Sequence, residues 1–312
     1  MAVGGDAAGS RARWIGPLFA IVGTLGFSFK AILIKLAYAV HPVDATTLLA
    51  LRMLYSAPFF LAMAWAARST GPIARGDVLR LIWLGFIGYY LASLLDFLGL
   101  KHITAALERL VLYLYPTMVL LLSAVLYRKP IGRRAMLAVG LSYVGIVVVF
   151  WNDLRLGGDT SAIAVGGSLV FASALCYAVY LVGSGGIIAR LGSMRFIAWA
   201  LIASTFFVLA QFFLTRPLAA LDVPPRVHAI VLAMAVFATV LPTWLVAEAI
   251  RRIGANQSAL VGSLGPVFTI GLGAMILGEP THAIQLAGAA LVLAGVLLVS
   301  LKRPRGSPPA QD

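Results

Sequence analysis

The chain has 312 residues, 61% of them hydrophobic and 11% charged, with a formal net charge of +13. A soluble domain carries roughly 45–50% apolar and about 25% charged residues, so the composition excludes an ordinary water-soluble fold. The positive charge does not indicate nucleic acid as a partner, because Lys and Arg fall between apolar runs rather than on one soluble arm or face.

A spanning helix needs about 20 mostly apolar residues. Qualifying runs are expected near 14–37, 45–67, 81–99, 104–127 and 135–151, then near 163–188, 196–214, 229–247, 255–277 and 283–301. The expected fold class is therefore an all-α integral membrane protein with ten transmembrane helices. Arg11 and Arg13 ahead of the first run mimic a signal peptide, but the run is too long for one and contains Lys30 and Lys35, so a retained helix is expected. Cys176 is the single cysteine, and His41, His102, His228 and His282 lie near different loops. Neither a disulfide framework, a metal site nor a cofactor is expected.

Cytoplasmic loops carry the excess of Lys and Arg in short-looped membrane proteins. One set of alternate connections, running from Arg11 and Arg13 to Lys302, Arg303 and Arg305, holds sixteen basic residues, whereas the other holds only Lys101, Arg155, Arg216 and Arg226. That asymmetry places both termini in the cytoplasm and requires an even number of spans. Lys30, Lys35, Arg52 and Arg109 are left over, inside the spans.

Shifting the chain by 150 residues aligns 99–150 with 249–300 without a gap. Twelve positions match, including Pro116 with Pro266 and Pro130 with Pro280, which favours an internal repeat over biased composition. Five spans per repeat is odd, so the second copy is expected upside down relative to the first. The expected organisation is a cytoplasmic tail over 1–13, five-helix repeats over 14–151 and 152–301, and a cytoplasmic tail over 302–312.

Two segments carry a family resemblance. Leu107-Glu108-Arg109-Leu110 through Tyr115-Pro116-Thr117, ending at Arg128-Lys129-Pro130, resembles the end of a first unit of the EamA-type carriers in the drug/metabolite transporter superfamily. Asn256-Gln257-Ser258-Ala259-Leu260 through Gly265-Pro266-Val267, closing at Leu277-Gly278-Glu279-Pro280, resembles the end of their second unit. The first unit departs from the family's Leu-Gly-Glu ending, with Tyr127-Arg128-Lys129 in its place. The resemblance implies alternating access through a cavity lined by both units, and export coupled to protons or to counter-solute. With no transit-type leader evident, residence in a plasma or bacterial cell (inner) membrane is expected.

Ionisable groups in hydrocarbon are costly and generally face a cavity, paired. Lys30, Lys35, Arg52, Asp96, Glu108 and Arg109 are expected together in one leaflet of the first repeat, with an excess of positive charge suited to a carboxylate-bearing solute such as an amino acid. Lys30, Arg52, Arg109, Tyr113, Asn256 and Gln257 are the expected substrate-binding residues, and Glu108 and Asp96 the proton-coupling ones. Arg109, Tyr113 and Pro116 share a helix face by their spacing, and Pro116 and Pro266 are expected to bend opposed helices along the pathway. The alternative is that Arg52, Lys35 and Arg109 snorkel or form static pairs.

No G-x-x-x-x-G-K-[ST], G-x-S-x-G or H-E-x-x-H pattern occurs, so an enzyme or ATP-driven pump is not expected. A non-transporting receptor or assembly factor, or a facilitative channel, are the rival readings. The expected partners are a small-molecule solute, the lipid bilayer and a second copy of the chain.

Overall fold

The computed structural model describes residues 6–68, 73–128, 130–156 and 159–300, the backbone alone at 6–13, 156, 247, 254–256, 259–260 and 299–300. The first half forms α1 (Asp6–Val40), α2 (Ala45–Ala66), α3 (Arg75–Gly85), a π-helical turn (Phe86–Leu91), α4 (Ala92–Gly99), α5 (Ala105–Leu112), α6 (Tyr115–Leu126) and α7 (Arg133–Leu156). The second half forms α8 (Thr160–Leu191), α9 (Ser193–Thr215), α10 (Pro225–Ala235), a π-helical turn (Val236–Val240), α11 (Leu241–Gly262), α12 (Gly265–Leu272), a third π-helical turn (Gly273–Leu277) and α13 (Ala283–Ser300). The described residues contain no strand. Eight helical stretches are long and apolar enough to cross a membrane, and Gly265–Leu277 and Ala283–Leu298 are shorter apolar helices.

Irregularities of the backbone recur at the repeat spacing of the sequence. π-Helical turns fall at 86–91 and 236–240, helix breaks at Tyr113–Leu114 and Ser263–Leu264, and left-handed residues at Arg128 (φ 49°) and Gly278 (φ 65°). Proline accounts for the breaks. Pro116 and Pro266 lack the N–H that would reach the carbonyls of Leu112 and Gly262, and each sits in the first turn of a restarted helix, where that donor is not needed. The bends anticipated from the sequence are thus complete interruptions, and Tyr113 lies in the turn itself rather than on the continuous face it was expected to share with Arg109 and Pro116.

One boundary differs from expectation. A loop was anticipated between 247 and 255, but α11 runs unbroken to Gly262. The first repeat starts α5 with Thr104, whose hydroxyl accepts from the Leu107 N–H at 3.1 Å. The equivalent position is Gly254, which has no side chain to cap a new helix, while Glu248 pairs with Arg251 and Arg252 along one helical face and favours continuation.

The two halves interleave. α1 packs along α10, α11 and α12, and α8 packs correspondingly against α4, α5 and α6; α2 meets α9 and α7 meets α13. Equivalent glycines permit equivalent crossings: a Cβ on Gly16 would collide with Ile253, and one on Gly166 with Ile103. The largest apolar cluster lies on this seam, with Ile34, Leu48, Met53 and Phe97 packed against Val231 and Met234.

Candidate functional site

α1, α4 and α5 bring four of the intramembrane charges together. The Lys30 ammonium on α1 lies 2.6 Å from Asp96 Oδ2 on α4 and 3.6 Å from Glu108 Oε1 on α5. Asp96 stands in the last turn of α4, where the helix dipole disfavours negative charge, and Lys30 offsets this. Glu108 stands in the first turn of α5, where the dipole helps. Both carboxylates are buried, Glu108 completely, and neither Glu108 oxygen receives a hydrogen bond.

Arg109 Nε is 3.9 Å from Glu108 Oε2, but its stronger contacts cross to other helices. It donates to Thr269 Oγ1 on α12 at 3.1 Å and to the Phe27 carbonyl on α1 at 2.6 Å. Tyr113 also crosses the seam, donating its hydroxyl to the Gly262 carbonyl. α5 and α12 therefore face and touch each other, closing this level of the seam.

Arg52 is different. It is 5% exposed, its guanidinium lies over the Phe97 ring at 5.3 Å, and its Nε is buried without a partner. Among the described residues it makes neither a hydrogen bond nor an ion pair. Lys30, Arg52 and Arg109 against Asp96 and Glu108 leave one excess positive charge if all are ionised.

Other expected members do not join this cluster. Lys35 turns to Glu279, 3.1 Å away, and donates to the Ile103 carbonyl at 2.8 Å. Gln257 is exposed on α11, and the side chain of Asn256 lies outside the described residues. Pro116 and Pro266 shape the breaks.

Two cavities, of 380 Å³ and 420 Å³, lie beside Lys35. The first reaches Lys101, His102, Leu107, Asp153 and Gln285, and the second Tyr38, Asp44 and Leu100. Neither lining includes Lys30, Asp96 or Glu108. Beside the second cavity, burial opposes ionisation of Asp44, but hydrogen bonds from Thr47 and Arg216 outweigh it and hold the carboxyl below its ordinary range.

Sequence reasoning missed Thr269 and the Phe27 carbonyl, for which no signal exists in the chain. It also missed Glu279 as a partner of Lys35, although Glu279 stands in the Leu277-Gly278-Glu279-Pro280 segment that carries the resemblance. On the opposite part of α8, Tyr177 and Tyr180 form an aromatic group with Tyr89 and Tyr115, where Lys30 would fall under the repeat.

Comparison with known proteins gives concordant results. The profile of the EamA-like transporter family matches twice, over residues 14–151 and 164–301. The uncharacterized transporter YcbK of Bacillus subtilis (strain 168) is 31% identical over 285 residues, covering 88% of both chains. The uncharacterized transporter YyaM of the same organism is 25% identical over 236 residues, covering 72% of this chain and 74% of that protein. A solved structure, described only as the crystal structure of a protein, has a TM-score of 0.60 at 20% identity over 92% of this chain and 97% of that one, which indicates a shared fold. The names are those of transporters rather than enzymes.

Proposed function

The chain belongs to the EamA-like transporter family, a membrane transporter built from a tandem repeat, and we infer that it is a secondary active carrier exporting carboxylate-bearing small metabolites. In this reading ten helices cross the cell (inner) membrane as inverted repeats with both termini in the cytoplasm, as the distribution of Lys and Arg favours. Export follows the family resemblance.

The observation that carries the substrate class is Arg52. Placing Arg inside a spanning helix costs about 3 kcal/mol, and a cation–π contact returns about 0.5–2 kcal/mol. A buried guanidinium that feels Asp96 only through space and makes no ion pair is therefore a site that a carboxylate completes, through two parallel charge-assisted hydrogen bonds. Lys30 and Arg109 already have protein partners and serve to hold Asp96 and Glu108 in place.

Glu108 and Asp96 are the coupling groups. A proton taken up by Glu108 removes the negative charge facing Lys30 and Arg109, loosening the ties between α1 and α5. Rocking of one repeat against the other then exposes the cluster to alternate sides. The test is flux in proteoliposomes: a carboxylate solute should be carried by the native chain and lost in Arg52→Met. Equal flux in both, or transport of quaternary amines instead, contradicts this assignment.

A further inference from the structure

Glu279 occupies a junction that neither the charged cluster nor the family resemblance explains. It follows a π-helical turn and the left-handed Gly278, and its own N–H returns to the Gly273 carbonyl at 3.1 Å. Both carboxylate oxygens accept from the Ala105 N–H at the start of α5, at 3.0 and 3.1 Å. Lys35 Nζ lies 3.1 Å from Oε1 and also donates to the Ile103 carbonyl at 2.8 Å. One carboxylate of the second repeat thus ties α1 to the α4–α5 turn of the first.

We propose that the Lys35–Glu279–Ala105 junction is the latch of a gate at this end of the pathway. The proposal rests on the alternating-access reading above. Lys35 and Lys101 line both cavities, so the Lys35 arm of the junction stands between them. Lys30 lies five residues earlier on α1, about 7.5 Å along the axis and about 140° round it, one level deeper than the junction. Release of Glu279 merges the cavities into one vestibule above the level of the charged cluster.

A latch should be strong enough to close and weak enough to release. The junction is made of charge-assisted hydrogen bonds at a helix N-terminus, which stabilise the closed form in a defined geometry. It is also partly open, with the Lys35 side chain, which lines both cavities, 25% and that of Glu279 11% exposed, so water can replace the ion pair. Gly278, at φ 65°, supplies a backbone position that only glycine adopts without strain.

The repeat makes this device one-sided. At the equivalent positions Lys129 replaces Glu279, Gly185 replaces Lys35 and Ala255 replaces Ala105. A lysine cannot accept from a helix N–H, and glycine offers no ion pair. The opposite end is tied differently, by Arg190 on α8 donating to both oxygens of Asp77 on α3 at 2.6 and 3.2 Å, a pair 49% exposed at Arg190.

Thiol accessibility of the purified full chain in detergent tests this, in a Cys176→Ser background. Leu107→Cys reports on the first cavity and Leu100→Cys on the second, both residues being almost fully buried now. Tyr177→Cys reports on the pathway beyond the middle of α8, about 25 Å from its start. Glu279→Gln should speed maleimide reaction at positions 107 and 100 by about ten-fold. Lys35→Met should act less, because Glu279 keeps its bonds to Ala105, and reaction at position 177 should slow in both. Unchanged rates at 107 and 100 overturn the latch, and so do rates that rise together at all three positions, since that reports a loosened fold. If the native chain carries no solute while accessibility exchanges as stated, the transport reading fails and the latch stands.

Discussion

The Tyr113 hydroxyl donates to the carbonyl of Gly262, the group that Pro266 deprives of its helical partner. The break in the second repeat is thus stabilised from the first repeat, by a residue placed in the first repeat's own break. Tyr113→Phe should lower stability by about 1–3 kcal/mol, the cost of an unsatisfied buried carbonyl. In a Pro266→Ala background the helical N–H returns, and the same substitution should cost much less. A double-mutant cycle of thermal unfolding in detergent measures the coupling, and equal costs in both backgrounds would show that the hydroxyl does not serve this carbonyl.

Arg128 occupies a left-handed conformation at the position where the second repeat has Gly278. An L-residue there carries a steric penalty that glycine lacks. Arg128→Gly should stabilise the protein by about 1 kcal/mol, read as a higher melting temperature. Gly278→Ala should destabilise it. A neutral or lower melting temperature for Arg128→Gly would mean that the side chain compensates for the backbone.

Asp44 caps α2 through the Thr46 and Thr47 N–H groups at 3.0 and 3.2 Å, and lies 3.2 Å from Arg216 Nε. Its carboxyl is held below the ordinary value of about 3.9. A depressed native value means that the charged form stabilises the fold at all pH above the unfolded value, and that this contribution fades as pH falls through the native one. Asp44→Ala should cost about 1 kcal/mol at neutral pH and progressively less as the pH falls below the ordinary carboxylate value. A cost that does not change on acidification would remove the carboxylate from the explanation.

Glu108→Gln keeps the volume of the side chain while removing its charge and its proton exchange. Solute should still run down its own gradient in proteoliposomes of this variant, but an imposed proton gradient should no longer drive accumulation. Accumulation driven by protons as in the native chain would assign coupling elsewhere, with Asp96 the next group to replace.

The repeat was legible in the sequence because Pro116, Pro266 and the apolar frame survive at a fixed offset, and the breaks appear at that offset. The gathering of Lys30, Asp96, Glu108 and Arg109 was legible too, since charges in hydrocarbon must find one another. The continuous α11 was not, because basic residues next to Gly254 look like a loop, while the missing helix cap is a silent signal. Nor was the Glu279–Lys35 pair, which joins residues of opposite repeats with nothing local to relate them. The departure at Arg128-Lys129 was visible, but its conformational meaning required the left-handed backbone.

In the proposed mechanism Arg52 awaits the carboxylate of the solute. The direct measurement is the melting temperature of purified protein with and without amino acids, organic acids and quaternary amines, for the native chain and Arg52→Met. Removing an unpaired buried charge should leave the free variant as stable as the native chain or more so, by about 1–4 kcal/mol by analogy with buried ion pairs. Carboxylate compounds should raise the melting temperature of the native chain and leave that of Arg52→Met unchanged. An equal shift in both proteins, or a shift with quaternary amines alone, contradicts the claim.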